Sequence, residues 1–122
     1  KVPNVPIEDI FHEIEKVPEV EIVLCGFRRV FMDKSLARRM KARENTYVET
    51  SSMEYLDTLP TCLENIPADR ILFGTHSPFY YIRSNMLKLE AVKQDKDIYQ
   101  KIASENAFNL FDLKKEKIEE MV

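Results

Sequence analysis

A row of polar side chains with one imidazole follows an apolar segment in the middle of the chain. Residues 71–73 are apolar, Gly74 ends them, and Thr75, His76 and Ser77 come next, before a proline. An imidazole can bind a divalent metal or act as a general base near neutral pH. A histidine between a strand and a helix is also often a structural hydrogen-bonding residue. Both interpretations of His76 stay open at this point.

The elements that must position this histidine are short strands alternating with helices. Residues 20–27, 45–52 and 70–77 are rich in apolar and β-branched side chains, which is typical of buried parallel strands. Apolar residues at helical spacing lie before, between and after these segments. The sequence therefore predicts an α/β fold in which three parallel strands alternate with helices, followed by C-terminal helices.

Polar and charged residues are predicted at the carboxyl ends of all three strands. In parallel α/β folds, ligands bind beyond these ends. Arg28 and Arg29 follow the first strand and Glu49 ends the second. Because arginine recognises carboxylates and phosphates with paired N–H groups, the two arginines favour a small anionic ligand, although solvated loop charges are the alternative. Cys25 is predicted inside the first strand, facing the helices.

Local signals also predict where helices begin. Ser51 and Glu54 have the spacing of a capping box for the third helix, in which Pro60 would cause a kink or break. Ser77 would cap the fourth helix, and Pro78 would open it. The buried stripe of that helix is expected to consist of apolar residues at helical spacing, namely Ile82, Met86 and Leu89.

The composition limits the class of protein. The 122 residues are 44% hydrophobic and 32% charged with a net charge of −3, which indicates one globular domain and gives no reason to expect nucleic acid or a membrane as partner. The basic run at 38–43 is interpreted as solvated helix surface. Cys25 and Cys62 lack metal-type spacing and are interpreted as reduced thiols of a cytoplasmic protein. The first residues, KVPNVP, lack a methionine, so we expect a processed or truncated chain.

Three stretches of the chain, NTYVETS, RILFGTHSPF and NAFNLF, carry a family resemblance. Their order and spacing resemble the last three βα units of the amidohydrolase superfamily, in the branch of amidohydrolase-related, metal-dependent hydrolases of TIM-barrel fold. The resemblance covers almost the whole chain, and its eighth-strand block is the most specific part. It implies that residues 1–122 are the C-terminal portion of such a domain, forming a partial TIM (β/α)₈ barrel that an upstream half or a second copy completes.

The resemblance also implies a chemistry. In this superfamily a divalent metal, with zinc the first expectation, activates water against a small-molecule substrate, and some relatives decarboxylate instead. The family's metal-binding aspartate of the eighth strand corresponds to His76, and its sixth-strand histidine corresponds to Gly26. We therefore expect His76 as the catalytic and metal-binding residue. The other residues expected at the site line the pocket or position the imidazole: Gly26, Arg28, Arg29, Thr75 and Ser77.

Two other interpretations remain. The replacements at the positions of His76 and Gly26 also suit a catalytically inactive amidohydrolase-like domain with a binding or structural role. A doubly wound flavodoxin-like domain would share the element order. It is disfavoured because the sequence contains no glycine-rich phosphate loop.

Overall fold

The fold was analysed in a computed structural model that describes residues 5–28, 34–55 and 57–113. Helices and strands alternate along the chain, and the three strands form one parallel sheet in the order β1-β2-β3. The predicted α/β class with three parallel strands is therefore confirmed. The elements are α1 (Ile7–Ile14), β1 (Ile22–Leu24), α2 (Lys34–Ala42), β2 (Thr46–Glu49), α3 (Thr58–Leu63), a 3₁₀ turn (Ala68–Arg70), β3 (Ile71–Leu72), α4 (Ile82–Glu90), α5 (Lys96–Gln100), a π-helical turn (Lys101–Glu105) and α6 (Asn106–Leu110).

One face of the sheet forms the centre of the hydrophobic core. Leu24 pairs with Val48 and Val48 with Ile71, so these three side chains lie in a row on the same face, and all are buried. Helix α2 contributes a narrow stripe of three buried residues to the core: Leu36, Ala37 and Met40. Burial of such side chains is the main favourable contribution to folding.

Each strand is shorter than its apolar segment, and this changes the position of Cys25. Strand β1 ends at Leu24, and Gly26 has a φ of +80°, a conformation that glycine adopts without strain. The prediction that Cys25 lies inside the strand and faces the helices was wrong, because its thiol is exposed. Cys25 lies directly after the last strand residue, Leu24, which is buried in the core, and directly before Gly26.

The third helix begins seven residues after the predicted cap. Helix α3 starts at Thr58, and Ser51 forms no capping box. The Ser51 hydroxyl instead donates to a carboxylate oxygen of Glu49. Pro60 is the third residue of α3 and lies in the first turn, where its missing N–H needs no partner. The helix therefore continues through Pro60 to Leu63, and the predicted kink or break was wrong.

The fourth helix also begins later than predicted. Residues 77–80 form a turn, in which Phe79 N–H and Tyr80 N–H both donate to the His76 carbonyl, and α4 begins at Ile82. Ser77 and Pro78 therefore do not cap and open the helix. Of the expected buried stripe, only Leu89 is buried, at 6% exposed. Ile82 (49% exposed) and Met86 (43%) are exposed, so the predicted stripe was wrong at both positions.

The C-terminal helices α5 and α6 are joined by the π-helical turn, and this turn and α6 lie against β3. The Asp95 side chain caps α5 by accepting from Ile98 N–H, at 3.1 Å. A π-helical turn interrupts the regular i to i−4 pattern, and the Ile102 carbonyl accepts the N–H of Phe73 at 3.1 Å. A backbone donor immediately after β3 is thereby satisfied. Within the described ranges, no helix has the length and apolar character needed to cross a membrane.

The two thiols lie in contrasting environments and should differ strongly in reactivity. Cys62 is fully buried, and this burial raises the pKa of its thiol to about 12, whereas Cys25 is exposed. Because the thiolate is the reactive form, we expect Cys62 to react with a disulfide reagent at least about a hundredfold more slowly than Cys25 in the native protein at pH 8.

Mass spectrometry of the partly labelled protein would identify which thiol reacts first. Both thiols should react at similar rates in denaturant, which serves as the control. Equal rates in native buffer would contradict the packing of Cys62 in the core.

Candidate binding site at the carboxyl ends of the strands

The carboxylate of Glu49, at the end of β2, lies against the backbone that follows β3. Its two oxygens accept hydrogen bonds from Ser51 N–H, at 2.6 Å, and from the Ser51 hydroxyl, at 2.7 Å. A Cβ atom placed on Gly74 would lie only 1.6 Å from Glu49 Oε1. Gly74 is therefore required by the close approach of this carboxylate, because any larger residue would displace it.

Thr50 connects the ends of the two strands. Its N–H donates to the Leu72 carbonyl at 3.1 Å, and its hydroxyl accepts from Gly74 N–H at 3.2 Å. Its carbonyl accepts from Met53 N–H at 3.1 Å. Thr50 is only 1% exposed, so these bonds are made away from solvent, where an unpaired polar group would be costly.

A buried lysine from α4 reaches the same place. Lys88, 6% exposed, donates through Nζ to the carbonyls of Thr50 (3.2 Å) and Ser51 (3.3 Å) and to Oδ1 of Asn85 (2.8 Å). Asn85 Nδ2 in turn donates to the Thr75 carbonyl at 3.1 Å. Burial lowers the pKa of Lys88, and the nearby Glu49 carboxylate acts in the opposite direction. Lys88 and Asn85 thus link the segment after β2 to the segment after β3.

A cleft of about 320 Å³ opens beside this network. Arg28, one of the two predicted anion-binding arginines, lies at the cleft, with Nη1 3.5 Å from Glu54 Oε1. Both side chains of this pair are well exposed, at 70% and 41%, so the pair contributes little stability. The lining combines charged, hydroxyl and apolar groups: Arg28, Ser51, Ser52, Met53, Glu54, Tyr80, Ser84 and Lys88.

His76 lies beside the cleft and packs against aromatic rings. Its backbone has a φ of +51°, and its ring centroid is 5.0 Å from that of Tyr80 and 5.6 Å from that of Phe79. Tyr80 lines the cleft and therefore connects the imidazole to it. The Thr75 hydroxyl accepts from Ser77 N–H at 3.4 Å.

The remaining predicted site residues lie elsewhere. Gly26 has open space around it, since an added Cβ would meet nothing within 4 Å. Gly26 is not among the residues that line the cleft. Arg29 lies outside the described residues. Of the two arginines, the structure therefore places Arg28 at the cleft.

The donor groups near the strand ends were tested against the needs of a metal ion. In the part of the chain that the structure describes, no three histidine, cysteine, aspartate or glutamate side chains come together. Both oxygens of Glu49 are engaged by Ser51, and the His76 ring packs on Phe79 and Tyr80. A metal site built from His76 would need further donors.

The sequence did not identify Asn85 and Lys88. Both occupy positions of the buried stripe of α4, at spacings i and i+3. Leu89 continues the stripe at i+4, and Val92, just beyond the helix, is also buried at i+7. Hydrophobic periodicity assigns such a stripe to apolar residues, so two polar members concealed it. The presence of an amide and an amine at helical spacing beside a predicted strand-end cluster was the one available signal.

No family model matches the sequence, and the search of curated proteins found no match either. What the site can do therefore follows from its residues and their geometry.

Proposed function

We propose that the chain is part of an amidohydrolase-like hydrolase domain of TIM-barrel fold, and that a small anionic substrate binds in the cleft at Arg28. The observation that carries this proposal is the position of the Arg28 guanidinium at a cleft of about 320 Å³ beyond the carboxyl ends of parallel strands. Ligands of parallel α/β folds bind at that end of the sheet. The family assignment rests on the resemblance of the three quoted stretches.

The groups in the cleft suit an anion with paired oxygens. Arg28 can present two parallel N–H groups to a carboxylate or phosphate. Its present partner, Glu54, is 3.5 Å away and 41% exposed, so a ligand oxygen can replace the Glu54 carboxylate at small cost. Ser52 and Tyr80 add hydroxyl groups to the lining, and Met53 adds apolar surface.

A metal-dependent mechanism would give His76 the part of a metal ligand. The described donor set does not fit a metal ion, because His76 is joined by no two other histidine, cysteine or carboxylate groups among these residues. We therefore assign no hydrolytic step to the described residues. A divalent metal, zinc first, would require donors besides His76.

The second candidate function is a catalytically inactive amidohydrolase-like domain that binds its ligand without turnover. One observation favours it: the Glu49 carboxylate is held by two hydrogen bonds from Ser51 and packs against Gly74. Each oxygen of this carboxylate is therefore already engaged within the protein. The cleft at Arg28 would be the binding site in both cases.

Replacing Arg28 with glutamine should weaken anion binding in the cleft. Hydrogen bonds to charged groups contribute about 1.5–3 kcal/mol. The dissociation constants for inorganic phosphate and malonate should therefore rise at least about tenfold. Binding would be measured by calorimetry and by amide chemical shifts of Ser52 and Met53.

Arg38→Gln is the matched control, because Arg38 is an exposed arginine on α2 and not among the residues lining the cleft. Glu54→Gln should tighten binding by removing the competing carboxylate. Equal affinities of wild type and Arg28→Gln, or no anion binding by wild type, would overturn the proposed site.

Zinc binding separates the two candidate functions. Stoichiometric zinc in the purified protein, measured by elemental analysis and lost in His76→Ala, would favour the hydrolase. Anion binding that is unaffected by His76→Ala, in a protein that takes up no zinc, would favour the inactive binding domain.

A further inference from the structure

We propose that Lys88, together with Asn85, is a positioning residue that holds the two sides of the cleft together and does not itself bind the ligand. The inference deepens the proposed function and rests on it for the identity of the cleft. It concerns a cation that lines the cleft and would ordinarily be taken for a second anion-binding group.

The hydrogen bonds of Lys88 argue against direct ligand binding. An ammonium group has three N–H donors. Lys88 Nζ has three acceptors: the carbonyls of Thr50 and Ser51, at 3.2 and 3.3 Å, and Asn85 Oδ1 at 2.8 Å. An anion in the cleft could take a donor from Lys88 only by breaking one of these three hydrogen bonds, which costs free energy.

The same bonds connect the two segments that continue beyond the ends of the paired strands β2 and β3. The carbonyls of Thr50 and Ser51 belong to the segment after β2. Ser51 and Ser52 of this segment line one side of the cleft. Asn85 carries the link onward by donating to the Thr75 carbonyl, in the segment that leads to Tyr80 on the other side. Lys88 and Asn85 are three residues apart on α4, so one helical turn fixes the distance between the two segments.

Arg28 is therefore the ligand-binding cation, and Lys88 keeps the cleft in the shape that Arg28 needs. Arg28 is exposed, and its ion pair with Glu54 spans 3.5 Å. Lys88 is buried and fully hydrogen-bonded. Different effects are therefore expected when the two side chains are replaced. Loss of Arg28 weakens ligand binding without disturbing the backbone, whereas loss of Lys88 disturbs the backbone even when no ligand is present.

Native-state hydrogen exchange in ligand-free protein tests this directly. In Lys88→Met the amide of Met53, which donates to the Thr50 carbonyl, and the amide of Gly74, which donates to the Thr50 hydroxyl, should exchange at least about tenfold faster than in wild type. Amides of α2 and β1 should be unchanged. The control is Lys41→Met, in which an exposed lysine of α2 is replaced.

Asn85→Asp separates the two links. The introduced carboxylate still accepts from Lys88 but offers no N–H to the Thr75 carbonyl. Faster exchange is therefore expected at Phe79 and Tyr80, after β3, while Met53 keeps its protection. Equal acceleration on both sides would overturn the proposed linkage.

A rescue experiment covers the case in which Lys88→Met does not fold. Methylammonium added to Lys88→Ala should restore the protection of Met53 and Gly74, because it supplies an ammonium group to the same three acceptors. Failure of rescue in a folded Lys88→Ala variant, or unchanged amide exchange rates in Lys88→Met, would show that Lys88 is not a positioning residue.

Phosphate titration distinguishes this proposal from the proposed function. If wild type binds no phosphate, the proposed function fails, while the exchange results in ligand-free protein still decide the role of Lys88. If wild type binds phosphate and Lys88→Met loses affinity with its exchange unchanged, Lys88 contacts the ligand and the positioning role is wrong.

Discussion

The Gly74→Ala variant is expected to lose about 3 kcal/mol of unfolding free energy, through the side chain of Glu49. The added Cβ would lie 1.6 Å from Glu49 Oε1 and 2.5 Å from Cδ, so the carboxylate must move. Moving it breaks the two hydrogen bonds from Ser51. Chemical denaturation monitored by circular dichroism would measure the loss.

A double-mutant cycle isolates the cause of this loss. In a Glu49→Ala background the Gly74→Ala substitution should cost less than about 0.5 kcal/mol, because the clashing atoms are gone. Gly26→Ala is the control: its cost comes from a φ of +80° in open space, about 1–2 kcal/mol, and Glu49→Ala should not relieve it. Additive effects of Gly74→Ala and Glu49→Ala would show that the carboxylate does not explain the glycine.

The contact between Glu49 and Gly74 could be predicted from the sequence only in part. The sequence shows Gly74 at the end of an apolar segment, and it predicts parallel strands with polar residues at their carboxyl ends. The identity of the approaching group depends on register: Glu49 pairs with Leu72, which places its carboxylate beside the backbone two residues further on. Register between two short parallel strands is set by long-range packing that alternation of side chains cannot specify.

Helix boundaries were mispredicted where another local hydrogen bond formed in place of the expected capping bond. Ser51 has the spacing of a cap, but its hydroxyl is donated to Glu49, on the same strand end. Ser77 precedes a proline, as helix caps often do, but the His76 carbonyl accepts two N–H groups and forms a turn instead. Serine competes readily for either kind of bond, so its presence alone does not fix a helix start.

The buried stripe of α4 was mispredicted for a different reason. Backbone carbonyls after β2 and β3 need donors once they are buried. Asn85 and Lys88 supply these donors, and they therefore occupy core-facing positions that periodicity assigns to apolar side chains. The fold class could be predicted because it depends on the order of apolar segments. The site could be predicted only in part because it depends on which polar groups meet.

Asn106→Asp is expected to destabilise the protein by about 3 kcal/mol or more at neutral pH, because two buried acceptors would lose their donor and face a negative charge. Asn106 is 5% exposed, and its Nδ2 donates to the carbonyls of Ala68, at 2.7 Å, and Ile71, at 2.8 Å. These bonds attach α6 to the start of β3. Thermal and urea unfolding would measure the loss.

The pH dependence identifies the mechanism of this loss. Burial beside two carbonyls raises the pKa of the introduced carboxyl in the folded state above its unfolded value of about 4. The folded variant then binds more protons than the unfolded chain above that pH, so the deficit relative to wild type grows as pH rises and shrinks on acidification. When protonated, the carboxyl can donate to one of the two carbonyls.

Asn109→Asp is the matched control, since Asn109 is exposed on the same helix. It should change stability by less than about 0.5 kcal/mol and show no such pH trend. Asn106→Ala, which removes the donors without adding charge, should lie between the two and be independent of pH. A deficit in Asn106→Asp equal to that of Asn106→Ala at every pH would mean that the introduced charge is solvated. No loss of stability in Asn106→Ala would mean that α6 is not held against β3 through this side chain.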